Sequence, residues 1–252
     1  MVALRCSVKL IRARKKTLSL RDWRNSTGWL GMADILVVNS SWSASLLAKA
    51  GVSDEKIRIV PLAYRPKPAS GGHPRRKYPE AFSINRPLHL LFLGQVNLRK
   101  GALELIAAVR RLYGAPLRLL FVGPVEPGLF NDIRLPPNVE WVGPVAGARL
   151  NSTINRPIYS SCQRIRMGLP SPRLEALARG VPVITSRHCG DAITDGENGL
   201  LIEDVSVDSI EEKLRWALDL AEMAARAPAV LSGYTPEYVV DRLLAEVSTI
   251  PR

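Results

Sequence analysis

Arg99 and Lys100 stand between two glycines, in Gly94-Gln95-Val96-Asn97-Leu98-Arg99-Lys100-Gly101. This segment follows an apolar run, Leu88 to Leu93, and precedes a helical pattern from about Ala102 to Tyr113. Gly94 and Gly101 let the backbone approach a ligand closely. The two cations fall at a helix start, where free amides and the helix dipole already favour an anion. A diphosphate suits such a place. So does a solvated turn with two surface cations, and this motif alone does not separate the two. A second candidate is Glu175, in Leu174-Glu175-Ala176-Leu177-Ala178-Arg179-Gly180-Val181-Pro182-Val183-Ile184. A carboxylate on a helix that runs into a core strand can hold sugar hydroxyls through both oxygens, as the acidic residue of a dinucleotide fold holds ribose. Taken singly, a surface glutamate on an amphipathic helix is the simpler reading. The third candidate is Gly190-Asp191, followed by Asp195-Gly196-Glu197-Asn198-Gly199. Asp-Gly and Asn-Gly are turn signals, and singly they read as a turn without function.

The elements that must hold these residues alternate. Ile35 to Val38 reads as a short buried strand, Ser40 or Ser41 as the cap of a helix to Ala50, and Ile57 to Pro61 as a second strand. Residues 65–87 are rich in proline and read as a linker. Strands follow at Leu88–Leu93, Leu117–Val122, Val139–Val142 and Val181–Thr185, with an edge strand at Leu200–Ile202. Helices are expected at 102–113, 172–180 and 209–225, and Pro236 opens a final one. Apolar strands alternating with helices imply an α/β fold: a Rossmann-like, doubly wound parallel sheet with ligands at the carboxyl ends of its strands.

Composition narrows the class. Among 252 residues, 46% are hydrophobic and 23% charged, a globular balance that excludes a disordered tail, a collagen-like chain and a disulfide scaffold. No apolar run approaches the ~18 residues of a membrane span. Cys6, Cys162 and Cys189 are too scattered for a zinc site or a disulfide framework, so no metal is expected and the thiols read as reduced and cytoplasmic. The net charge of +12 is concentrated in two blocks. Residues 1–25 carry eight basic residues against one acid, and residues 149–173 carry five arginines and no acid. A nucleic-acid binder spreads charge along a groove with interleaved aromatics. That partner is therefore not expected, although a basic nucleic-acid-binding protein is the alternative from another class. A transit peptide is the functional alternative for the leader.

Together and in this order, the three motifs resemble the donor-binding half of the GT-B glycosyltransferases, the large retaining family called group 1 or family 4. The resemblance covers roughly residues 29–222, including Ala33-Asp34-Ile35-Leu36-Val37-Val38-Asn39-Ser40 and Glu55-Lys56-Ile57. It implies transfer of a sugar from a nucleotide-diphosphate sugar to an acceptor that it does not identify, with retention and without metal or other cofactor. By matching positions, Lys100 holds the donor pyrophosphate, Glu175 the ribose, and Gly94, Gly190 and Asp191 line the donor loops. Arg99 assists, because the family's usual arginine directly after the first glycine is Gln95 here. No catalytic residue is assigned, and peripheral membrane contact is left open.

The implied organisation is a poorly ordered basic leader (1–28), a remnant of the N-terminal acceptor domain (29–64), a linker (65–87), the nucleotide-sugar domain (88–234) and a C-terminal helix (235–252). With most of one domain expected to be missing, the chain alone is expected to be inactive. A non-catalytic fragment or a partner subunit is the alternative. Residues 149–173 also depart from the pattern. The family has an Ala-Asp, an apolar strand ending in Pro, and an acid eight residues before Glu175, where Met167 stands. Reading the codons of this stretch one base out permits all three. The stretch as written is therefore expected to be irregular, and the sheet to lack a strand between Val139–Val142 and Val181–Thr185.

Overall fold

The computed structural model describes residues 33–65, 79, 81–130, 133–145, 158–162, 172–219 and 227–249. The chain builds a six-stranded parallel sheet and a smaller two-stranded one. The small sheet pairs β1 (Leu36–Val38) with β2 (Ile57–Ile59), in register Leu36 to Ile57, and α1 (Ser41–Lys49) connects them. The large sheet contains β3 (Leu88–Leu93), β4 (Leu117–Val122), β5 (Val139–Gly143), β6 (Ile158–Cys162), β7 (Val183–Ser186) and β8 (Gly199–Ile202). Its helices are α2 (Ala102–Arg111), α3 (Pro172–Ala178) and α4 (Val207–Asp219), and α5 (Pro236–Ser248) ends the described chain.

The strand order is β5-β4-β3-β6-β7-β8. Numbered from β3 this is 3-2-1-4-5-6, the Rossmann order, whose direction reverses between the first and fourth strands. The reversal here falls between β3 and β6, and the loop that follows β3 carries Arg99 and Lys100. The expected α/β fold is therefore present. The boundaries of β3 and β4 fall where the apolar runs end in glycine.

Both faces of the sheet are covered. Leu88, Leu90 and Phe92 of β3, with Leu117, Leu119 and Phe121 of β4, meet Leu105, Ile106 and Val109 of α2 and Ile210 and Leu214 of α4. The α2 positions follow the three-and-four spacing of a helix face. Leu91, Leu120 and Val122 point to the other face, as period-two alternation requires. There Leu174 and Leu177 of α3 pack with Val181, Val183, Ile193 and Leu201. Arg111 ties α2 to α4 by pairing with Asp208 and Glu211. The small sheet is fixed from the far end of the chain, since Arg58 of β2 pairs with Glu246 of α5 at 2.9 Å.

One expectation is overturned. The sheet does not lack a strand between β5 and β7: Ile158–Cys162 forms β6 and pairs in parallel with β3 through His89 to Ile158 and with β7 through Ser160 to Val183. The physical reason is that a ladder is made by backbone groups. A slot flanked by β3 and β7 offers hydrogen-bond partners on both sides, and leaving it empty would orphan two rows of donors and acceptors. Ile158 and Tyr159 have strand preference, and nothing in Ser160, Ser161 or Cys162 prevents an extended backbone. The expected exposure of the arginines at 149, 156, 164 and 166 lies outside the described residues, as do the basic leader and most of the 65–87 linker.

Candidate functional site

The loop after β3 is braced by its neighbour. The Gly94 amide donates to the Val122 carbonyl at 2.8 Å, the Val96 amide to Pro124 at 2.8 Å, and the Glu126 amide back to Val96 at 2.9 Å. Val96 itself is fully buried. Asn97 then turns the chain: its side-chain oxygen accepts from the Lys100 amide at 3.0 Å. Gly101 takes the left-handed conformation, φ +68°, that starts α2 at an angle to this turn. The result folds Lys100 back over the end of β3. A Cβ placed on Gly94 would lie 3.1 Å from the Lys100 ammonium, so glycine here leaves room for the cation. Among the described residues, no hydrogen bond or ion pair engages the side chain of Lys100 or of Arg99. Two cations without an ion-pair partner among the described residues thus border the switch point of a parallel sheet, beside the first turn of a helix; an anion braces the same turn at Glu126, whose Oε2 accepts from the Leu98 amide at 3.4 Å.

Glu175 lies on α3. Its Oε1 accepts from the Arg179 guanidinium one helical turn on, at 2.9 Å. The glutamate side chain is 37% exposed and its partner 13%. Tyr64 reaches the same place from the other end of the described chain, buried with Leu174, Leu177 and Val181. Burial pushes the Tyr64 phenol above its ordinary pKa; the negative charge of Glu175 adds to this and the positive charge of Arg179 opposes it.

Gly190 and Asp191 follow β7. Gly190 has φ +99°, a turn conformation that suits glycine. Asp191 faces α1: Oδ2 accepts from the Ser41 amide at 2.7 Å and Oδ1 from the Ser41 hydroxyl at 2.8 Å. The rings of Trp42 and His188 meet edge to face beside it, 5.0 Å between centroids. Tyr234 lies nearby, its pKa pushed up to about 12, first by burial and then by the Asp191 charge. The turn from Thr194 to Asn198 is held internally. Asn198 accepts from the Thr194 amide and donates to Ala192, and Asp195 accepts from the Leu201 amide.

Gly94, Arg99 and Lys100 therefore form one group, Glu175 a second with Arg179 and Tyr64, and Asp191 a third with Ser41. Among the described residues no hydrogen bond or ion pair joins Lys100, Glu175 and Asp191 directly. Sequence reasoning missed the partners Arg179, Tyr64 and Ser41. The Glu175–Arg179 spacing of four was a readable signal; Ser41 and Asp191 are 150 residues apart and carried none. Among the described residues no group of three or more His, Cys, Asp or Glu could hold a metal ion. None of the described helices is long and apolar enough to cross a membrane.

The model of the family described as Glycosyl transferases group 1 matches residues 75–228, more than half of the chain. No curated protein matches it in sequence. Among solved structures, the lipopolysaccharide outer core galactosyltransferase WaaB is similar at TM-score 0.66 and 17% identity, over 86% of this chain and 62% of its own. HepE of Anabaena, in complex with UDP and glucose, gives 0.67 and 15%, over 92% and 67%. Sucrose-phosphate synthase of Thermosynechococcus elongatus gives 0.66 and 18%, over 94% and 65%. The chain thus spans less than two thirds of the length of WaaB and of the synthase, and about two thirds of HepE. With the Rossmann strand order, the glycine-bounded cations after β3 and a family match across both, the chain belongs to the group 1 glycosyltransferases and contains the C-terminal domain of their GT-B fold.

Proposed function

We propose that this chain binds a nucleotide-diphosphate sugar at the carboxyl ends of β3 and β6, as the donor half of a sugar transferase. The observation that carries this reading is Lys100, folded over Gly94 at the switch point with no ion-pair partner among the described residues. Similarity to HepE, solved with UDP and glucose, supports a diphosphate there. Lys100 and Arg99 face the two phosphates, and the first turn of α2 adds its amides. A departing nucleoside diphosphate develops negative charge, and fixed cations stabilise it without reorganising. This is the work a metal does elsewhere, and the reaction proposed here is metal-independent and retaining, as in the family resembled. Glu175 receives the ribose hydroxyls. The Asp191 carboxylate is already engaged by Ser41, so Gly190 and Asp191 serve by shaping the loop after β7. None of the described residues is assigned to an acceptor; donor binding without turnover of simple acceptors is the behaviour expected of this chain alone.

The test is thermal protection by a nucleoside diphosphate. At a hundredfold excess over the dissociation constant, binding adds ~2.7 kcal/mol to stability. Replacing Arg99 and Lys100 together with Ala should remove the protection. Equal protection in the native chain and the double variant would eliminate the phosphate role.

A further inference from the structure

We propose that Arg179 is a positioning residue of the donor site, clamping one oxygen of Glu175 so that the other is presented to the ribose diol. This deepens the reading above and rests on it, because it takes Glu175 as the ribose ligand.

The pair is unlike an ordinary surface i,i+4 ion pair, in which two long side chains wave in water. Here the arginine is the covered partner, 13% exposed, and the carboxylate the accessible one, 37% exposed. Three features keep the guanidinium in place. Its residue lies one position beyond the end of α3, where the carbonyl end of a helix favours a cation. Its backbone is tied by the amide of Arg179 to the Ala176 carbonyl at 3.0 Å. Its Nε is buried and has no hydrogen-bond partner among the described residues, so the fork lies within protein and does not swing through solvent. Tyr64, 8% exposed, packs with Leu174 and Leu177 of the same helix.

Only Oε1 of Glu175 is taken, by Nη2 at 2.9 Å. Among the described residues Oε2 has no partner. A carboxylate oxygen has two lone-pair sites, so Oε2 and the remaining site of Oε1 are open to two hydroxyl donors. A vicinal diol presents such a pair. Without the clamp, the glutamate would rotate among several rotamers on the helix surface and give up that freedom on binding. Lysine could supply the charge but not the planar fork.

The discriminating quantity is the preference for ribose over 2′-deoxyribose in the bound nucleotide. Calorimetric titration with UDP and ADP and with their 2′-deoxy forms gives it for the native chain and for Arg179→Met, Arg179→Lys and Glu175→Gln. One charge-assisted hydrogen bond corresponds to a native preference of roughly tenfold or more. Glu175→Gln should remove most of it. Arg179→Met should remove at least half of it on a logarithmic scale, and Arg179→Lys should keep more than Met does. A packing role for Arg179 alone would weaken both sugar forms equally and leave the ratio unmoved. If the Met variant fails to fold by circular dichroism, Arg179→Gln carries the same test, since it loses the charge and the fork. A ratio that collapses in Glu175→Gln but survives loss of Arg179 would overturn the clamp and keep the ribose reading. Tighter ribonucleotide binding without Arg179 would make it a competitor and overturn the clamp too. A ratio unmoved in Glu175→Gln, or no titration by the native chain, would overturn both.

Discussion

Gly123→Ala should damage the fold and the phosphate loop together, by an amount the geometry sets. Gly123 is buried just beyond β4 with φ +138°, a conformation that residues other than glycine hold at a cost of ~1–3 kcal/mol. An added Cβ would stand 2.2 Å from the Gly94 carbonyl oxygen and 2.7 Å from its carbon, so backbone must move. The Gly94 amide is hydrogen-bonded to Val122, and shifting Gly94 strains or breaks that buried bond, worth ~1–3 kcal/mol if left unmade. The sum is about 4 kcal/mol, a large share of the ~5–15 kcal/mol typical of a domain. With a urea slope near ~2–3 kcal/mol per molar, the unfolding midpoint should fall by between ~1 and ~2 M. Gly114→Ala is the control: its φ is +96° but nothing lies within 4 Å of the new Cβ. That change carries only backbone strain, about 1–2 kcal/mol. Urea unfolding of the two variants, followed by circular dichroism, compares a clash plus strain with strain alone. Because Lys100 folds over Gly94, a Gly123→Ala chain that still folds should also bind nucleoside diphosphate more weakly, while Gly114→Ala should not. Equal midpoints for the two variants would refute the close-approach argument.

Asp191→Ala removes the acceptor for the Ser41 amide and should lower stability by about 1 kcal/mol, as loss of a helix cap does. Amide hydrogen exchange should quicken over the first turn of α1, and unchanged exchange there would count against the contact. Alkaline pH should weaken the fold through Tyr234. Its phenol is pushed up to about 12 in the folded chain, whereas an unfolded tyrosine titrates near about 10. Its contribution is therefore complete below the unfolded value and is lost as pH rises toward the folded one. Tyr234→Phe should flatten that alkaline limb in urea midpoints, and parallel limbs would contradict the assignment.

What could be read from the sequence was local. The runs at Leu88–Leu93 and Leu117–Val122 end in glycines that the sheet needs, and the three-and-four spacing of Leu105, Ile106 and Val109 is visible in one dimension. The cationic turn at 94–101 was legible for the same reason, since its strand, turn and helix are contiguous. Strand order was not, because alternation of strands and helices fits several orders. Tyr-Ser-Ser-Cys gave no sign of a strand because its place depends on the vacant ladder between β3 and β7, a property of the neighbours. Glu175 was visible as a carboxylate on a helix, but which side of its ion pair is buried depends on Tyr64 and the packing beneath. Asp191 was read as a donor-loop residue from its turn; its bond to a serine 150 residues away left no trace in the sequence.

That contact between Asp191 and Ser41 also orders events in time. Helix α1 has nine residues, too few to be stable in isolation. Ser40 caps the Ser43 amide locally at 3.2 Å, but the Ser41 amide must wait for a carboxylate 150 residues downstream. A chain emerging at ~5–20 residues per second would leave that helix start incomplete for roughly eight to thirty seconds. Through that interval β1, α1 and β2 lack the downstream side of their support, including the Arg58–Glu246 pair. This small sheet is therefore secured only after the segments that follow it are made, and its fate during synthesis depends on how quickly Asp191 and Glu246 arrive.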